Sequence, residues 1–294
     1  MVSVIIPTYN REKTICKALN SVLNQTYEDI EVIVVDDCST DNTESVIKSI
    51  EDNRLKYIKL SKNSGACHAR NVGISNSHGD FIAFEDSDDL WHADKLEKQL
   101  RVLNENNVDI LACSYNQYIE TYEHFKKVMP ALEESGFLEP NILLRQSIIG
   151  TPTIIGRKHV FDEFQFDENL PRFQDFDLVI RISDKYQIYM MKEPLVDAFV
   201  QNDSISRSLS KMINAQSLIL NNNKRILGKY PDALIYHYKR LVSYKSLSGN
   251  RCTKECIDIF KHQKTFNNFI KIILSMIGLL PLWYKKMNIE QNLD

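Results

Sequence analysis

Four acidic side chains follow a short apolar run near residue 84, and their spacing could hold a metal ion. The run Phe81–Phe84 has the length and residue types of a buried strand, and it leads directly into Glu85, Asp86, Asp88 and Asp89. Neighbouring carboxylates repel one another, so either water and the next helix N-terminus take up the charge, or a divalent cation does. An Asp-x-Asp pair suits Mg²⁺ or Mn²⁺. A solvated acidic turn is the alternative.

Four strand–helix units position these acids. Apolar runs typical of strands lie at Val2–Ile6, Ile30–Val35, Leu55–Leu60 and 80–84. Amphipathic helical segments separate them, which predicts a parallel sheet with helices on its faces. Ligands of such sheets bind outside the carboxyl ends of the strands, where three groups fall: Thr8-Tyr9, Asp37 and Asp86/Asp88. A phosphate-bearing ligand bridged by a metal fits this edge.

The second half of the chain is less regular. A helix is expected after Asp94 and another after Phe173, while residues 115–140 are polar, aromatic and poorly periodic. These residues are interpreted as a variable excursion over the site. Further strands are expected at Asp109–Ser114, Thr153–Gly156, Ile188–Met191 and Pro194–Val200, with an irregular loop at Phe161–Leu170.

Charge is distributed unevenly although the net charge is only −3. Residues 1–203 contain 21 Lys and Arg against 34 Asp and Glu, whereas residues 204–294 contain 15 against 5. The basic part suits an anionic partner such as a membrane surface or a pyrophosphate-bearing acceptor. The apolar stretch Ile272–Trp283 is too short to span a bilayer, so it is expected to lie in the membrane interface with Lys285-Lys286 facing anionic lipid. The alternative is a helix docked on the protein body.

The six cysteines have no Cys-x-x-Cys spacing and fall in predicted core segments, which indicates reduced thiols in a cytosolic protein. Met1–Tyr9 is apolar but lacks a basic n-region, so no signal peptide is expected. The sequence therefore predicts a cytoplasmic protein.

Five motifs in a fixed order make the chain recognisable. They are Val-Ile-Ile-Pro-Thr-Tyr-Asn (4–10), Val-Val-Asp-Asp-x-Ser-x-Asp (34–41), Asn-x-Gly-x-x-x-Ala-Arg-Asn-x-Gly (63–73), Asp-Ser-Asp-Asp (86–89) and Gln-Asp-Phe-Asp-Leu (174–178). Over residues 2–210 the chain resembles the family-2 inverting glycosyltransferases of the GT-A fold. That resemblance implies an α/β fold with a Rossmann-like, mostly parallel central sheet flanked by helices, followed here by a helical C-terminal extension.

The resemblance also implies a binding site for a nucleotide sugar. It places the uridine of the donor against Pro7, Thr8, Tyr9 and Asp37, where a carboxylate can accept from the base and a tyrosine can stack. Turn packing is the alternative role for Tyr9, and a helix cap is the alternative for the neighbouring Asp36. Arg70 is expected near the diphosphate, because its planar guanidinium matches phosphate geometry. The alternative for Arg70 is a surface salt bridge.

Metal and base roles follow from the same resemblance. Asp88 is expected to bind Mn²⁺ or Mg²⁺ directly, with Asp86 near the ribose or at the metal through its water. Asp89 could instead cap the following helix. The metal would neutralise charge that grows on the diphosphate as the sugar C1–O bond breaks. Asp175 is the candidate base that takes the proton of the acceptor hydroxyl in a single displacement.

Two positions depart from the family pattern. Gln174, on the acceptor side, replaces the usual Glu beside Asp175, and an amide can still hydrogen-bond an acceptor. Many relatives carry a metal-binding His near residue 201, where this chain has Gln201, so water or Asp203 would substitute. The seven histidines lack His-x-x-x-His pairing and are assigned no catalytic role.

The sequence thus predicts a cytoplasmic, peripheral membrane transferase that moves one hexose or N-acetylhexosamine from a UDP-linked donor onto a lipid-linked saccharide. The setting would be bacterial capsule, exopolysaccharide or O-antigen synthesis, with a polyprenyl diphosphate acceptor and no nucleic acid. Residues 1–205 would form the glycosyltransferase domain, divided near residue 114 into donor and acceptor halves, and 206–294 the basic extension. A nucleotidyltransferase and a catalytically inactive nucleotide-sugar-binding protein are the rivals.

Overall fold

The computed structural model describes residues 1–200 and 209–284. Ten strands form a single mixed sheet. The strands are β1 (Val2–Thr8), β2 (Ile30–Asp36), β3 (Leu55–Lys59), β4 (Phe81–Phe84), β5 (Leu90–Trp91), β6 (Ile110–Ile119), β7 (Thr121–Met129), β8 (Gly136–Phe137), β9 (Ile155–Arg157) and β10 (Ile188–Val200).

Helices connect and follow these strands. In the first 200 residues they are α1 (Ile15–Leu23), α2 (Thr43–Lys48), α3 (Ala66–Ser75), α4 (Lys95–Glu105), α5 (Pro140–Leu143), α6 (Lys158–Glu163) and α7 (Gln174–Ser183). The C-terminal helices are α8 (Leu209–Asn222), α9 (Lys224–Gly228), α10 (Pro231–Leu247), α11 (Thr253–His262) and α12 (Phe266–Met276).

The sheet runs in the order β3-β2-β1-β4-β9-β6-β10-β5. The strands β3, β2, β1 and β4 are parallel, as the four strand–helix units predict, and β6 is parallel to β10. The short strand β9 runs antiparallel to both β4 and β6, so it interrupts the parallel order. Six of the ten strands in the described residues run in the same direction, whereas β5, β7, β8 and β9 run antiparallel to their neighbours, and this α/β sheet flanked by helices confirms the predicted fold class.

Each face of the sheet is covered by its own apolar core. Along β1, Val4 and Ile6 join the core that also contains α1 and α4, whereas Ile5 joins the core containing α7. This alternation follows from the period of two in a strand. Burying one such side chain fully stabilises the fold by about 1.5–3 kcal/mol. The helix α3 packs so closely on β1 that a Cβ added at Gly73 would overlap the side chain of Ile5.

The structure differs from the sequence-based interpretation between residues 110 and 200. The segment interpreted as an irregular excursion is a long antiparallel hairpin of β6 and β7 that turns at Glu120, with a positive φ of 61°. The two strands expected at 188–191 and 194–200 are one continuous strand with register shifts on either side of Pro194. Part of the predicted loop at 161–170 belongs to α6. The strand β7 is exposed along most of its length, which explains the weak apolar periodicity of the hairpin.

The chain forms two compact units. Counting described residues only, the first comprises 1–143, 147–168 and 174–200, and the second comprises 144–146, 169–173 and 209–284. The second unit has its own apolar core, to which Val242, Cys256 and Leu280 contribute. The stretches holding Gln201–Asp203 and Lys285-Lys286 lie outside the described residues.

All six cysteines are free thiols, as the sequence predicts. None of the helices within residues 1–200 and 209–284 has the length and apolar character needed to cross a bilayer.

Candidate active site

The carboxyl ends of β1, β2 and β4 meet at one edge of the sheet. Thr8, the last residue of β1, lies in register with Asp36, the last residue of β2. The Asp37 N–H then donates to the Thr8 carbonyl at 2.8 Å, and the Glu85 N–H donates to the Ile5 carbonyl at 3.0 Å. These bonds bring the first polar residue after each strand to the same edge. The topology therefore brings together the residues that the sequence places at strand ends.

Asp37 organises the loop that starts α3. Its two carboxylate oxygens accept from the backbone N–H groups of Ser64 and Gly65, both at 2.7 Å, and the side chain is buried. Each oxygen keeps further lone pairs for a ligand. The neighbouring Asp36 is not a helix cap, since it accepts from the Ser39 N–H at 2.8 Å and the Tyr57 hydroxyl at 2.6 Å.

Arg70 and Thr8 place unpartnered polar atoms at this edge. Arg70 is 6% exposed, and its Nη2 donates to Oδ1 of the partly exposed Asp86 at 2.6 Å, so Arg70 forms its ion pair from a buried position. Within the described residues, neither Arg70 Nε nor Thr8 Oγ1 has a hydrogen-bond partner, although both atoms are buried. Buried polar groups are normally paired, so these two atoms are available to a ligand or to water. Pro7 is buried beside them, and the Tyr9 ring is 42% exposed and accessible for stacking.

The four acids of the Asp-x-Asp region have different surroundings. Asp88 faces Arg11, whose Nη2 lies 3.5 Å from Asp88 Oδ2, and burial followed by repulsion from Asp86 raises the pKa of Asp88. Asp89 does not cap α4, because its Oδ1 accepts from the Phe199 N–H at 3.0 Å. Burial and the charges of Asp86 and Asp88 raise the pKa of Asp89 well above its ordinary value.

Glu85 is the most buried of the four acids. Its side chain is inaccessible to solvent, and both carboxyl oxygens lack a hydrogen-bond partner among the described residues. Burial, followed by repulsion from Asp89 and Asp86, raises the pKa of Glu85 well above its ordinary value. Burial therefore favours the neutral form of Glu85, whereas Asp86 and Asp88 line the cleft.

These residues fit a divalent cation that also binds a ligand. The described ranges 1–200 and 209–284 contain no group of three or more His, Cys, Asp or Glu arranged around a metal position. Two half-exposed carboxylates, Asp86 and Asp88, nevertheless stand at the strand edge beside a buried, unpartnered N–H of Arg70. Mg²⁺ is commonly held by one or two carboxylates together with water and substrate phosphates. This donor set matches that pattern.

A cleft of about 300 Å³ links the Asp-x-Asp residues to the candidate base. Asp86, Asp88 and Asp175 all line it. Asp175 lies in the first turn of α7, where its Oδ1 accepts from the Phe176 N–H at 2.8 Å, and burial raises its pKa. A carboxylate with a raised pKa is a stronger base than an exposed aspartate. Gln174 begins the same helix, next to Asp175 in the chain.

Sequence reasoning missed two side chains that the structure places at the site. Arg11 contacts Asp88, and its position directly after Thr8-Tyr9-Asn10 at the end of β1 could have identified it. Tyr115 lines the cleft with Asp175, and burial raises the pKa of its hydroxyl to about 12. No pattern in the sequence marks Tyr115, because it lies in the part of β6 that follows the predicted strand Asp109–Ser114 and belongs to the segment interpreted as irregular.

Comparison with known proteins identifies the family. The model of glycosyl transferase family 2 matches residues 3–164. An uncharacterised glycosyltransferase of Rickettsia bellii is 36% identical over 75% of this chain and 32% of its own length. The chain spans about a third of the length of the first Rickettsia relatives that it matches.

Two further relatives carry more specific names. The putative teichuronic acid biosynthesis glycosyltransferase TuaG of Bacillus subtilis is 34% identical over 70% of this chain and 81% of its own. The UDP-Glc:alpha-D-GlcNAc-diphosphoundecaprenol beta-1,3-glucosyltransferase WfgD of Escherichia coli is 36% identical over 56% of this chain and 64% of its own.

The fold has a close structural counterpart. The crystal structure of S. aureus TarS 1-349 superposes with a TM-score of 0.72 at 22% identity, covering 99% of this chain and 92% of that one. This likeness supports the GT-A fold that the sequence predicts. The family match over more than half of the residues, together with relatives at 34–36% identity, shows that the chain belongs to glycosyltransferase family 2.

Proposed function

We propose that the chain is a non-processive inverting glycosyltransferase that moves a hexose or N-acetylhexosamine from a UDP-linked donor to a saccharide acceptor. The observation that carries this proposal is the cleft that Asp86, Asp88 and Asp175 line together, with Arg70 paired to Asp86. A metal-assisted transfer needs a diphosphate site and a base within reach of one another. The cleft provides both kinds of residue.

The donor would bind at the ends of β1, β2 and α3. Tyr9 presents an exposed ring for the base, Asp37 a carboxylate with free lone pairs, and Arg70 a buried Nε–H that could donate to a phosphate. The name of WfgD specifies a UDP-Glc donor, and TarS has been crystallised with UDP-GlcNAc, which supports a UDP-sugar here.

Asp175 would act as the general base. Its carboxylate removes the proton from the acceptor hydroxyl while that oxygen attacks C1 of the donor sugar, and the C1–O bond to the diphosphate breaks. Attack opposite the leaving group inverts the anomeric centre. Asp88 and Asp86 would hold Mn²⁺ or Mg²⁺, whose charge stabilises the departing diphosphate. Arg11 and Arg70 keep the two aspartates in place through their ion pairs.

The acceptor would be a saccharide on a polyprenyl diphosphate in bacterial surface-polysaccharide synthesis. The names of WfgD, with its diphosphoundecaprenol acceptor, and of TuaG, with teichuronic acid, support this setting. Residues 1–205 would perform the transfer, with Gln174 on the acceptor side, and 206–294 would serve as a basic extension that contacts the inner face of the cell membrane.

The exposed face of α12 supports membrane contact. One face of α12 is buried in the protein, at Asn268, Ile272 and Ser275. The opposite face of the helix is the one that would contact lipid. The opposite face of α12, together with the residue that follows the helix, exposes large apolar side chains: Phe266, Phe269, Ile273, Met276 and Ile277. A row of exposed apolar side chains on a helix near basic residues is typical of interfacial membrane binding.

Point variants test this contact better than deletion, because deleting α12 would remove Ile272 from the core of the second unit. The double variant Phe269→Ser and Ile273→Ser should lower co-sedimentation with vesicles of 30% phosphatidylglycerol by about tenfold or more. Asn267→Ser, an exposed polar change on the same helix, is the control. Equal sedimentation of the double variant and the wild type would reject membrane contact through α12.

A thermal-shift screen of UDP-sugars, with and without Mn²⁺, tests the main proposal. Stabilisation by one UDP-sugar that increases with Mn²⁺, followed by transfer of its sugar to a lipid-linked saccharide, is the expected result. Stabilisation by a nucleoside triphosphate with release of pyrophosphate would instead indicate a nucleotidyltransferase. Binding of a UDP-sugar without hydrolysis or transfer would indicate an inactive nucleotide-sugar-binding protein.

A further inference from the structure

A second cavity opens on the other side of Asp88. It has a volume of about 200 Å³ and is lined by side chains from α1, the β6–β7 turn and β10. Among them are Lys17, Glu120, Tyr122 and Phe199. Asp88 and Phe199 also line the cleft that holds Asp175, so the two spaces adjoin at these residues. A ligand that extends from the cleft would reach this cavity.

Aromatic side chains of the hairpin form one wall of the cavity. Tyr118 and Phe199 stack with ring centroids 5.4 Å apart and an interplanar angle of 21°. Tyr122 meets the ring of Phe199 edge-on at 5.0 Å and is 54% exposed. The register explains the cluster, because Tyr118 pairs with Phe199 across β6 and β10 and with Phe125 across β6 and β7.

Hydrogen bonds of Asp197, two residues before Phe199 on β10, stabilise this wall. The carboxylate of Asp197 accepts from Asn116 Nδ2 at 2.8 Å and contacts His92 Nε2 at 3.1 Å. Burial, followed by the charge of Asp197, raises the pKa of the Tyr122 hydroxyl to about 12. A side chain fixed by such bonds loses little further freedom when a ligand binds, which favours affinity. The aromatic wall is therefore already formed before a ligand arrives.

We propose that this cavity binds a pyranose ring of the acceptor saccharide, an assignment that rests on the proposed transferase function. The apolar face of a sugar ring can pack on the exposed ring of Tyr122, while its hydroxyl groups exchange hydrogen bonds with Lys17 and Glu120 on the same cavity wall. Binding there would hold the acceptor in the adjoining cleft and select acceptors by the shape of this sugar.

Charge and size favour a neutral sugar over other ligands. Lys17 is opposed by Glu120 and Asp88 on the same lining, so the cavity offers no net positive charge for a phosphate or a carboxylate. A cavity of about 200 Å³ has room for one sugar ring.

Ligand-observed NMR with saturation transfer tests the assignment. The probes are millimolar methyl glycosides of glucose, galactose, mannose, rhamnose, N-acetylglucosamine and N-acetylgalactosamine. At least one should receive saturation from the wild type, and Tyr122→Ala should raise its Kd by about tenfold. Tyr122→Phe keeps the ring and should retain binding. Phe137→Ala is the matched control, since Phe137 is 48% exposed and does not line the cavity.

The outcomes separate this proposal from the proposed function. Saturation of no probe, or equal Kd values for wild type and Tyr122→Ala, would overturn the cavity assignment. So would loss of binding in Phe137→Ala. UDP-sugar thermal shifts are measured on the same samples and should be unchanged in Tyr122→Ala. A wild type that binds a pyranoside but no UDP-sugar would count against the transferase function alone.

Discussion

Replacing Asp175 by Asn removes the candidate base with little other change. The asparagine Oδ1 can still accept from the Phe176 N–H, a bond of 2.8 Å in the structure, so the start of α7 should be preserved. The substitution also removes one negative charge from a cleft that already contains Asp86 and Asp88, and it should therefore not lower stability. Any loss of activity can then be assigned to proton transfer.

The size of the loss follows from the role. A positioned general base contributes typically about 10²- to 10⁴-fold to the rate. This corresponds to about 2.7–5.4 kcal/mol of transition-state stabilisation at about 1.36 kcal/mol per tenfold. Because the donor site at Thr8, Asp37 and Arg70 is untouched, the Kd for the UDP-sugar should stay within about twofold of the wild type. The decrease should therefore appear in kcat.

The assay measures transfer from a radiolabelled UDP-sugar at several pH values. Burial raises the pKa of Asp175, so wild-type kcat/KM should fall as the pH decreases through a value above the ordinary range of an aspartate. This acidic limb should disappear in Asp175→Asn. Undiminished kcat, or an unchanged acidic limb, would show that another group takes the proton.

Three further predictions concern the donor site, the metal site and the contact between His92 and Asp197. Thr8→Val replaces an unpartnered buried hydroxyl, so the unfolding temperature should not fall, whereas the Kd for a UDP-sugar measured by calorimetry should rise about 2- to 10-fold. Asp88→Ala should lower kcat by about 10²-fold or more and abolish the Mn²⁺-dependent part of the UDP thermal shift, with an unchanged circular dichroism spectrum; retained Mn²⁺ dependence would contradict the metal role. Asp197 raises the pKa of His92, so the stability it contributes is complete below about pH 6.5 and is lost as the pH rises through the raised value. Urea unfolding of wild type and His92→Gln should therefore differ more at about pH 5.5 than at about pH 9, and an equal difference at both would contradict this coupling.

The parallel half of the sheet could be predicted because its signals are local. Each of β1, β2 and β4 is an apolar run with a polar residue directly after it, and the edge rule for parallel strands then brings Thr8, Asp37 and Asp86 together. The β6–β7 hairpin could not be predicted in this way. Its outer strand β7 is exposed along most of its length. Its inner strand β6 pairs with β10, some 80 residues away in the chain.

The sequence predicted which residues follow the strand ends, but not the long-range contacts that their side chains make. The roles assigned to Pro7, Tyr9, Asp37, Arg70, Asp86, Asp88, Gln174 and Asp175 stay predictions, although the structure places several of them at one edge or in one cleft. Asp89 accepts a hydrogen bond from the Phe199 N–H in β10 instead of capping α4. Local sequence spacing could not show this, because Phe199 lies 110 residues away. Long-range partners of this kind are not encoded in local patterns.

Charge balance at the strand edge explains why a cation should accompany the donor. Burial favours the neutral form of Glu85, and Asp89 accepts from a backbone N–H, so Asp86 and Asp88 are the carboxylates of the acidic run that bear on the site. Their ion pairs with Arg70 and Arg11 leave these four side chains with no net charge. A diphosphate that enters would add negative charge without an equal positive charge from these residues, and its charge grows further as the sugar leaves. The structure thus gives an electrostatic reason to expect that UDP and Mn²⁺ or Mg²⁺ bind together.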